Sequence, residues 1–210
     1  MLASMPASKT RTSYHHGSLH EEMISACMAL IESEGIGAVS LRRVAREAGV
    51  SPGAPYHHFA DRADLLNTIA ARGYEELTRA MREARESAAS PVEALGAMIE
   101  RYVRFAREHT AYHRLMFRPE LSRPEKHPAT AAAGNAALLL VTEAVRDCQR
   151  VGAAPPGDPM PLMTMAWSIG TGLATLWLDG PLEHLCADQD MTVEDLTGQI
   201  ARLFRSMLHR

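Results

Sequence analysis

Apolar residues recur along this chain three and four positions apart, the spacing of one face of an α-helix. Leu19, Met23, Cys27, Leu30 and Ile31 make the first stripe, opened by Ser18 with Glu21 as an S-x-x-E capping box and ended by Gly35. Leu41, Val44, Ala45 and Ala48 make the second, capped by Ser40 and ended by Gly49. Val50 is expected to pack between that helix and a short third one from Pro52 to about Phe59, recapped by Ser51. Asp61 opens a fourth helix, with Asp64 in its first turn and Leu65, Leu66, Ile69, Tyr74, Leu77 and Met81 on its apolar side. Ser90 and Glu93 cap a fifth, striped from Val92 to Ala106 and running to about His109.

The remaining pattern predicts a short helix from Ala111 to Phe117 and a proline-bearing surface loop from Arg118 to Pro128. A long Ala- and Leu-rich helix follows from Ala129 to Val151, closed by Gly152. After a proline-rich stretch come an uncharged helix, a loop from Asp179 to Met191, and a last helix from Thr192. Val193, Leu196, Ile200, Leu203, Phe204 and Met207 share one face of that last helix. The fold class predicted is all-α.

Composition narrows the possibilities. At 210 residues, 46% hydrophobic and 22% charged, the chain is expected to bury a core rather than remain disordered. A net charge of −3 makes it no general polyanion binder, so attraction to nucleic acid has to come from local patches. Cys27, Cys148 and Cys186 have neither disulfide nor zinc spacing and are expected to be small buried groups in a reducing compartment. Met1 to Met5 lacks the apolar core of a secretory signal, and a cytoplasmic location is expected. Asp158 to Asp179 encloses an uncharged run long enough to span a bilayer, but it contains prolines, glycines and threonines and lacks basic flanks. The expectation there is a fully buried helix. His109 and His113 have a spacing that suits metal on a helix, but no third ligand stands nearby, so no metal and no cofactor is expected.

The stretch from Ser40 to Arg62 has the grammar of a helix-turn-helix. Gly53 and Ala54 are small enough for close backbone approach, and Tyr56, His57 and His58 offer aromatic faces and donors, as suits a helix start laid into a major groove. Residues 1–13 carry Lys9 and Arg11 and no acid; they read either as an arm on phosphates or the minor groove or as a disordered start. His16, in the Tyr14-His15-His16-Gly17 lead-in, is expected on the DNA side.

The pattern A45-x-x-A48-G49-V50-S51-x-x-x-x-Y56-x-H58-F59-x-D61-R62-x-x-L65-L66 resembles the TetR family of bacterial transcription regulators, over about Tyr14 to Leu66. Arg62 stands where the family usually has lysine and keeps a cation for phosphate; Pro55 inside the recognition segment departs from a regular helix. Arg114-Leu115-Met116-Phe117 and the run Ala166 to Leu173 resemble a C-terminal branch named for a Trp-His-Gly signature, with Thr171 in place of its histidine. The resemblance implies an N-terminal three-helix helix-turn-helix domain with its basic arm over 1–66 and a regulatory, ligand-binding and dimerisation domain over 67–210.

It further implies a non-enzymatic, homodimeric regulator that binds double-stranded operator DNA and responds to a small-molecule effector. The expected DNA contacts are Lys9, Arg11, His16, Ser40, Arg42, Ser51, Pro52, Gly53, Ala54, Tyr56, His57, His58 and Arg62. The expected pocket residues are Met98, Tyr102, Phe105, Met116, Phe117, Met163, Trp167 and Thr171, which suggest an apolar or aromatic compound. The expected mode is a repressor released from a palindrome; an activator, or an adaptor whose effector is a protein, are the alternatives. Dimerisation is expected through Met160 to Leu178 and Val193 to Met207 of both copies. No glycine-rich phosphate loop, H-E-x-x-H or G-x-S-x-G motif supports an enzyme.

Overall fold

The computed structural model describes residues 16–118 and 125–208, with side chains from Leu19 onward. Among these residues there are helices and no strand. They divide between Asp61 and Arg62 into two compact units.

The first unit holds α1 (His16–Glu34) and α2 (Leu41–Glu47), with short 3₁₀ turns at Ile36–Ala38 and Ala54–His57. Met23, Ile24, Cys27, Leu30 and Ile31 of α1 are buried with Leu41, Val44 and Ala45 of α2 and with Phe59, so the apolar stripes become the core of a small helical corner. α1 begins two residues before Ser18; the side chain that was to form the first capping box lies outside the described residues.

The second unit holds α3 (Arg62–Glu86), α4 (Pro91–Glu108), α5 (Thr110–Met116), α6 (Pro128–Arg150), α7 (Met160–Leu178), α8 (Pro181–Ala187) and α9 (Val193–Leu208). Side-chain caps set several starts. The Ser90 hydroxyl accepts from the Glu93 N–H at 3.2 Å. Thr192 accepts from the Asp195 N–H at 3.0 Å, while the Asp195 carboxylate accepts from the Thr192 N–H at 3.3 Å, a reciprocal capping box. At the end of α6, Gly152 has φ +73 and the Ala153 N–H reaches the Cys148 carbonyl at 2.9 Å, the backbone turn that glycine permits after a helix.

α4 is the central helix, packed on α3, α6, α7 and α9. One cluster runs through Leu77, Leu95, Met98, Phe105, Leu140 and Phe204; a second joins Val103, Leu173, Trp177, Leu182 and Val193. Arg85 ties the end of α3 to α6 through Glu143 at 3.3 Å and Asp147 at 2.5 Å. The three cysteines are free and buried, and burial pushes the Cys148 thiol up to about 11. α6 is long and apolar enough to cross a bilayer by length and composition, yet its buried stripe belongs to this core.

Two expectations of burial need correction. α7 is not fully buried: Met163, Ala166, Gly170, Leu173, Ala174 and Trp177 face inward, while Met160, Met165 and Leu176 are exposed. A helix without charges has no polar stripe to mark its outer side, so composition alone could not separate its faces. On α9, Val193, Thr197, Ala201, Phe204 and Leu208 are buried, whereas Leu203 and Met207 are exposed. Its apolar residues therefore occupy two stripes, not one.

Candidate functional site

The helix-turn-helix geometry is built locally. The Ser40 hydroxyl accepts from the Arg43 N–H at 3.2 Å, so this side chain is committed to starting α2. Gly49 at φ +68 ends it, with the Val50 N–H on the Ala45 carbonyl at 2.9 Å and the Gly49 N–H on the Arg46 carbonyl at 3.1 Å. A side chain other than glycine would be strained at that φ.

The expected α-helix over Pro52 to Phe59 is replaced by a single 3₁₀ turn, Ala54–His57, whose N-cap Gly53 makes no side-chain cap bond. Pro55 is the physical reason. It has no N–H to give to the Ser51 carbonyl, which takes the Ala54 N–H at 3.0 Å instead. The Tyr56 N–H bonds the Gly53 carbonyl at 3.3 Å, and the His58 and Phe59 N–H groups both reach the Pro55 carbonyl at 2.9 Å. The tighter turn leaves Ser51, Pro52, Gly53, Tyr56 and His57 outermost, with Tyr56 55% exposed.

The other expected contacts are placed differently. His58 is half-buried, its ring edge-on to His20 at 5.9 Å, and His20 stacks on buried Phe59 at 5.0 Å. His58 thus belongs in large part to the support of the turn. Ala54 is half-buried. Arg42 is exposed, while Arg43 pairs with Glu34 and Glu47. Arg62 is exposed at the first position of α3 in the second unit. Lys9, Arg11 and the side chain of His16 lie outside the described residues.

The second unit contains a cavity of about 430 Å³, within the range typical of small-molecule sites. Its wall is drawn from α3, α4, α5, α6 and α7. Met98, Tyr102, Met116, Phe117 and Trp167 are on it, as the sequence pattern suggested. Phe105, Met163 and Thr171 are not. Phe105 and Met163 are packed in the core, Phe105 against the His109 ring at 4.7 Å. Thr171 stands behind the wall, its hydroxyl donating to the Tyr102 hydroxyl at 3.3 Å. Gly170 allows this closeness: a Cβ there would lie 3.2 Å from the Tyr102 ring.

Sequence reasoning missed the α6 side of the cavity. Tyr74, Leu77 and Met81 come from α3, and Thr130, Gly134 and Leu138 from α6. Gly134 and Asn135, two poor helix formers inside a long helix, were the available signal on α6. Tyr74 donates its hydroxyl to the Met116 carbonyl, and burial raises its phenol to about 12. Burial raises Tyr102 further still, so both stay protonated at neutral pH. Behind them His113 is 8% exposed, with Nε2 unpartnered and its ring against Phe117 at 5.4 Å. Burial pulls His113 down to about 4, against a weaker opposing effect of Asp179. No group of three or more metal-ligating side chains occurs among the described residues.

Comparison with known proteins gives this pairing of units a context. Residues 23–69 match the profile described as bacterial regulatory proteins, tetR family; residues 95–200 match the tetracyclin repressor-like C-terminal domain. An HTH-type transcriptional regulator of Staphylococcus aureus is 26% identical over 82 residues, 39% of this chain and 44% of that protein, so the match spans less than half of the relative. A protein of unknown function from Rhodococcus sp. RHA1 has a structure similar at TM-score 0.82 and 31% identity, covering 95% of this chain and 100% of that one. PfmR, a TetR family regulator of Thermus thermophilus, shares the fold at TM-score 0.70 and 22% identity, over 88% of this chain and 97% of that one. FadR of Bacillus subtilis, solved in complex with stearoyl-CoA, shares it at TM-score 0.72 and 18% identity, over 89% and 98%. With the tetR-family profile on the first unit and the start of α3, and the C-terminal-domain profile over most of the second unit, the chain belongs to the TetR family of DNA-binding, non-enzymatic transcription regulators.

Proposed function

We propose that the protein is a cytoplasmic, homodimeric repressor, released from a palindromic operator when a small apolar or aromatic effector enters the cavity of the second unit. The cavity carries this reading, because part of its wall is α3, the helix that continues the chain directly from the helix-turn-helix unit. An effector that fits one placement of α3 better than another shifts the protein toward it in proportion to that differential affinity. FadR, a neighbour in fold, was solved with an acyl-CoA bound, which supports a small molecule as the signal.

The dimer reading rests on the outer stripes of α7 and α9. Both helices pack on α4, and Met165, Leu176, Leu203 and Met207 remain exposed, with Leu203 at 63%. Exposed apolar stripes on two helices that both pack on α4 suit a four-helix interface between two copies. Two copies would present two recognition turns to half-sites about 34 Å apart.

The DNA contacts proposed are Arg42, Ser51, Pro52, Gly53, Tyr56 and His57 in the first unit, Arg62 at the start of α3, and Lys9, Arg11 and His16 ahead of the described core. Titration of the protein's own upstream DNA against random DNA over a salt series tests this. Tyr56→Ala, which removes an exposed ring, is expected to lower operator affinity about tenfold with the melting temperature unchanged, as loss of one good contact implies. Removing residues 1–13 should reduce the salt slope if Lys9 and Arg11 hold phosphates. Equal affinity for upstream and random DNA at every salt concentration would rule the operator reading out.

A further inference from the structure

The wall of the cavity is chemically one-sided. It is built from aliphatic, aromatic and thioether side chains with a few neutral polar groups, and no Asp, Glu, Lys or Arg lines it among the described residues. His127, at the N-cap of α6, is its only basic side chain among them. A buried charge needs a partner, because desolvation is not recovered otherwise. Among the described residues the wall supplies no guanidinium or ammonium for a carboxylate or phosphate, and no carboxylate for an amine.

Its hydrogen-bonding capacity is also specific. The Tyr74 hydroxyl proton is spent on the Met116 carbonyl. The Tyr102 hydroxyl receives the proton of Thr171 at 3.3 Å, which leaves its own proton for another acceptor. Thr171 therefore acts as a positioning residue: it stands off the wall and orients the one phenol whose donor is uncommitted. Gly170 contributes by letting the Tyr102 ring lie close against α7. His113, behind Tyr102 and Phe117 with ring centroids at 6.1 Å and 5.4 Å, is held neutral by burial and so adds no cation through the wall.

From this geometry we infer that the cavity selects an uncharged, largely apolar effector with a hydrogen-bond acceptor, a carbonyl or ether oxygen met by the Tyr102 hydroxyl, and that it rejects carboxylates, phosphates and CoA thioesters. The inference rests on the cavity being the effector site and goes beyond that reading by fixing the ligand's charge and the polarity of the group that meets Tyr102. It separates this chain from FadR, a neighbour in fold whose bound ligand carries the phosphates of CoA.

The test uses a pair of fluorescent probes that share one frame. The neutral ketone 6-propionyl-2-dimethylaminonaphthalene is compared with the carboxylate 6-dimethylamino-2-naphthoate, by titration of the full-length protein. The ketone should bind at least about tenfold more tightly. Tyr102→Phe keeps the ring and should weaken the ketone several-fold, with a blue shift of its emission as the carbonyl loses its donor; a merely structural tyrosine would not move that spectrum. Thr171→Val should give a smaller shift in the same direction. Gly134→Leu, which puts a side chain into the cavity beside the Tyr74 ring, should abolish binding.

The inference is overturned if the carboxylate binds as tightly as the ketone, above all if His127→Gln then abolishes it. It is overturned equally if Gly134→Leu binds the ketone like the wild type, since the probe then sits elsewhere. Operator titration with the same probes keeps the two levels apart. If a CoA thioester fills the cavity and releases DNA, the ligand class is wrong and the regulatory reading stands. A neutral ketone that fills the cavity and leaves operator affinity unchanged instead supports the ligand class and defeats the regulatory reading.

Discussion

His113 is a buried histidine whose ring lies against Tyr102 and Phe117, with one ring nitrogen left without a partner. Burial penalises its charged form, so its pKa falls from 6.5 to about 4. Between those values the unfolded chain holds the proton and the folded one does not. Stability is therefore full above about pH 6.5 and is lost as pH falls toward 4, by on the order of 3 kcal/mol from this residue. His113→Phe, which fits a ring into the same space and removes the orphaned nitrogen, is expected to flatten that part of the stability profile. Urea denaturation of both proteins at pH 7 and pH 5 measures it; equal slopes would show that His113 is protonated without difficulty in the fold. At this scale the sequence was informative wherever one side chain has one job. Ser40, Ser90, Thr192, Gly49 and Gly152 all stop or start a helix as their positions implied. It was least informative for Phe105, Met163 and Thr171, because an aromatic, thioether or hydroxyl side chain has the same identity on a cavity wall as one layer behind it.

Elements were legible from periodicity and caps, and failures arose where one residue or one face broke the rule. Pro55 turned the recognition helix into a 3₁₀ turn because a missing N–H removes the bond an α-turn needs. The α6 side of the cavity escaped because Ala131, Gly134 and Ala137 are too small to register as a hydrophobic stripe. α9 shows the other limit: its helix was plain, but its two apolar stripes read as one. Phe204 belongs to the inner stripe at 1% exposure and Leu203, its neighbour, to the outer at 63%. Phe204→Ala is expected to lower stability by about 3–5 kcal/mol through the cavity it leaves. Leu203→Glu is expected to leave the fold of each chain intact while converting dimer to monomer at micromolar concentration. Light scattering and circular dichroism on the two variants decide the assignment. If Leu203→Glu stays dimeric, the interface lies on another surface.

At the scale of the whole molecule, the two units are consecutive in the chain and α3 begins where the first one ends. The helical class and the helix-turn-helix were open to sequence reasoning because both rest on local signals. The cavity was open only in part, since its wall assembles residues from Ala70 to Gly170 that only the packed fold brings together. The regulatory reading makes a demand that binding to either site alone cannot meet. If a ligand in the cavity lowers operator affinity, operator must lower affinity for that ligand by the same factor, because both measure one coupling free energy. A coupling of about 1–3 kcal/mol corresponds to a factor of about 5–150. The measurement is a pair of titrations at one salt concentration: upstream DNA with and without saturating neutral ketone probe, and the probe with and without saturating DNA. Gly134→Leu should bind operator as the wild type does in the absence of probe and show no response to it. Tyr56→Ala should bind the probe normally while its operator affinity is reduced. Two equal factors in the wild type, both absent in Gly134→Leu and both retained at weaker operator affinity in Tyr56→Ala, are the expected result. Unequal factors would mean that the probe reaches a second place on the protein or on the DNA, and that cavity occupancy is not what releases the operator.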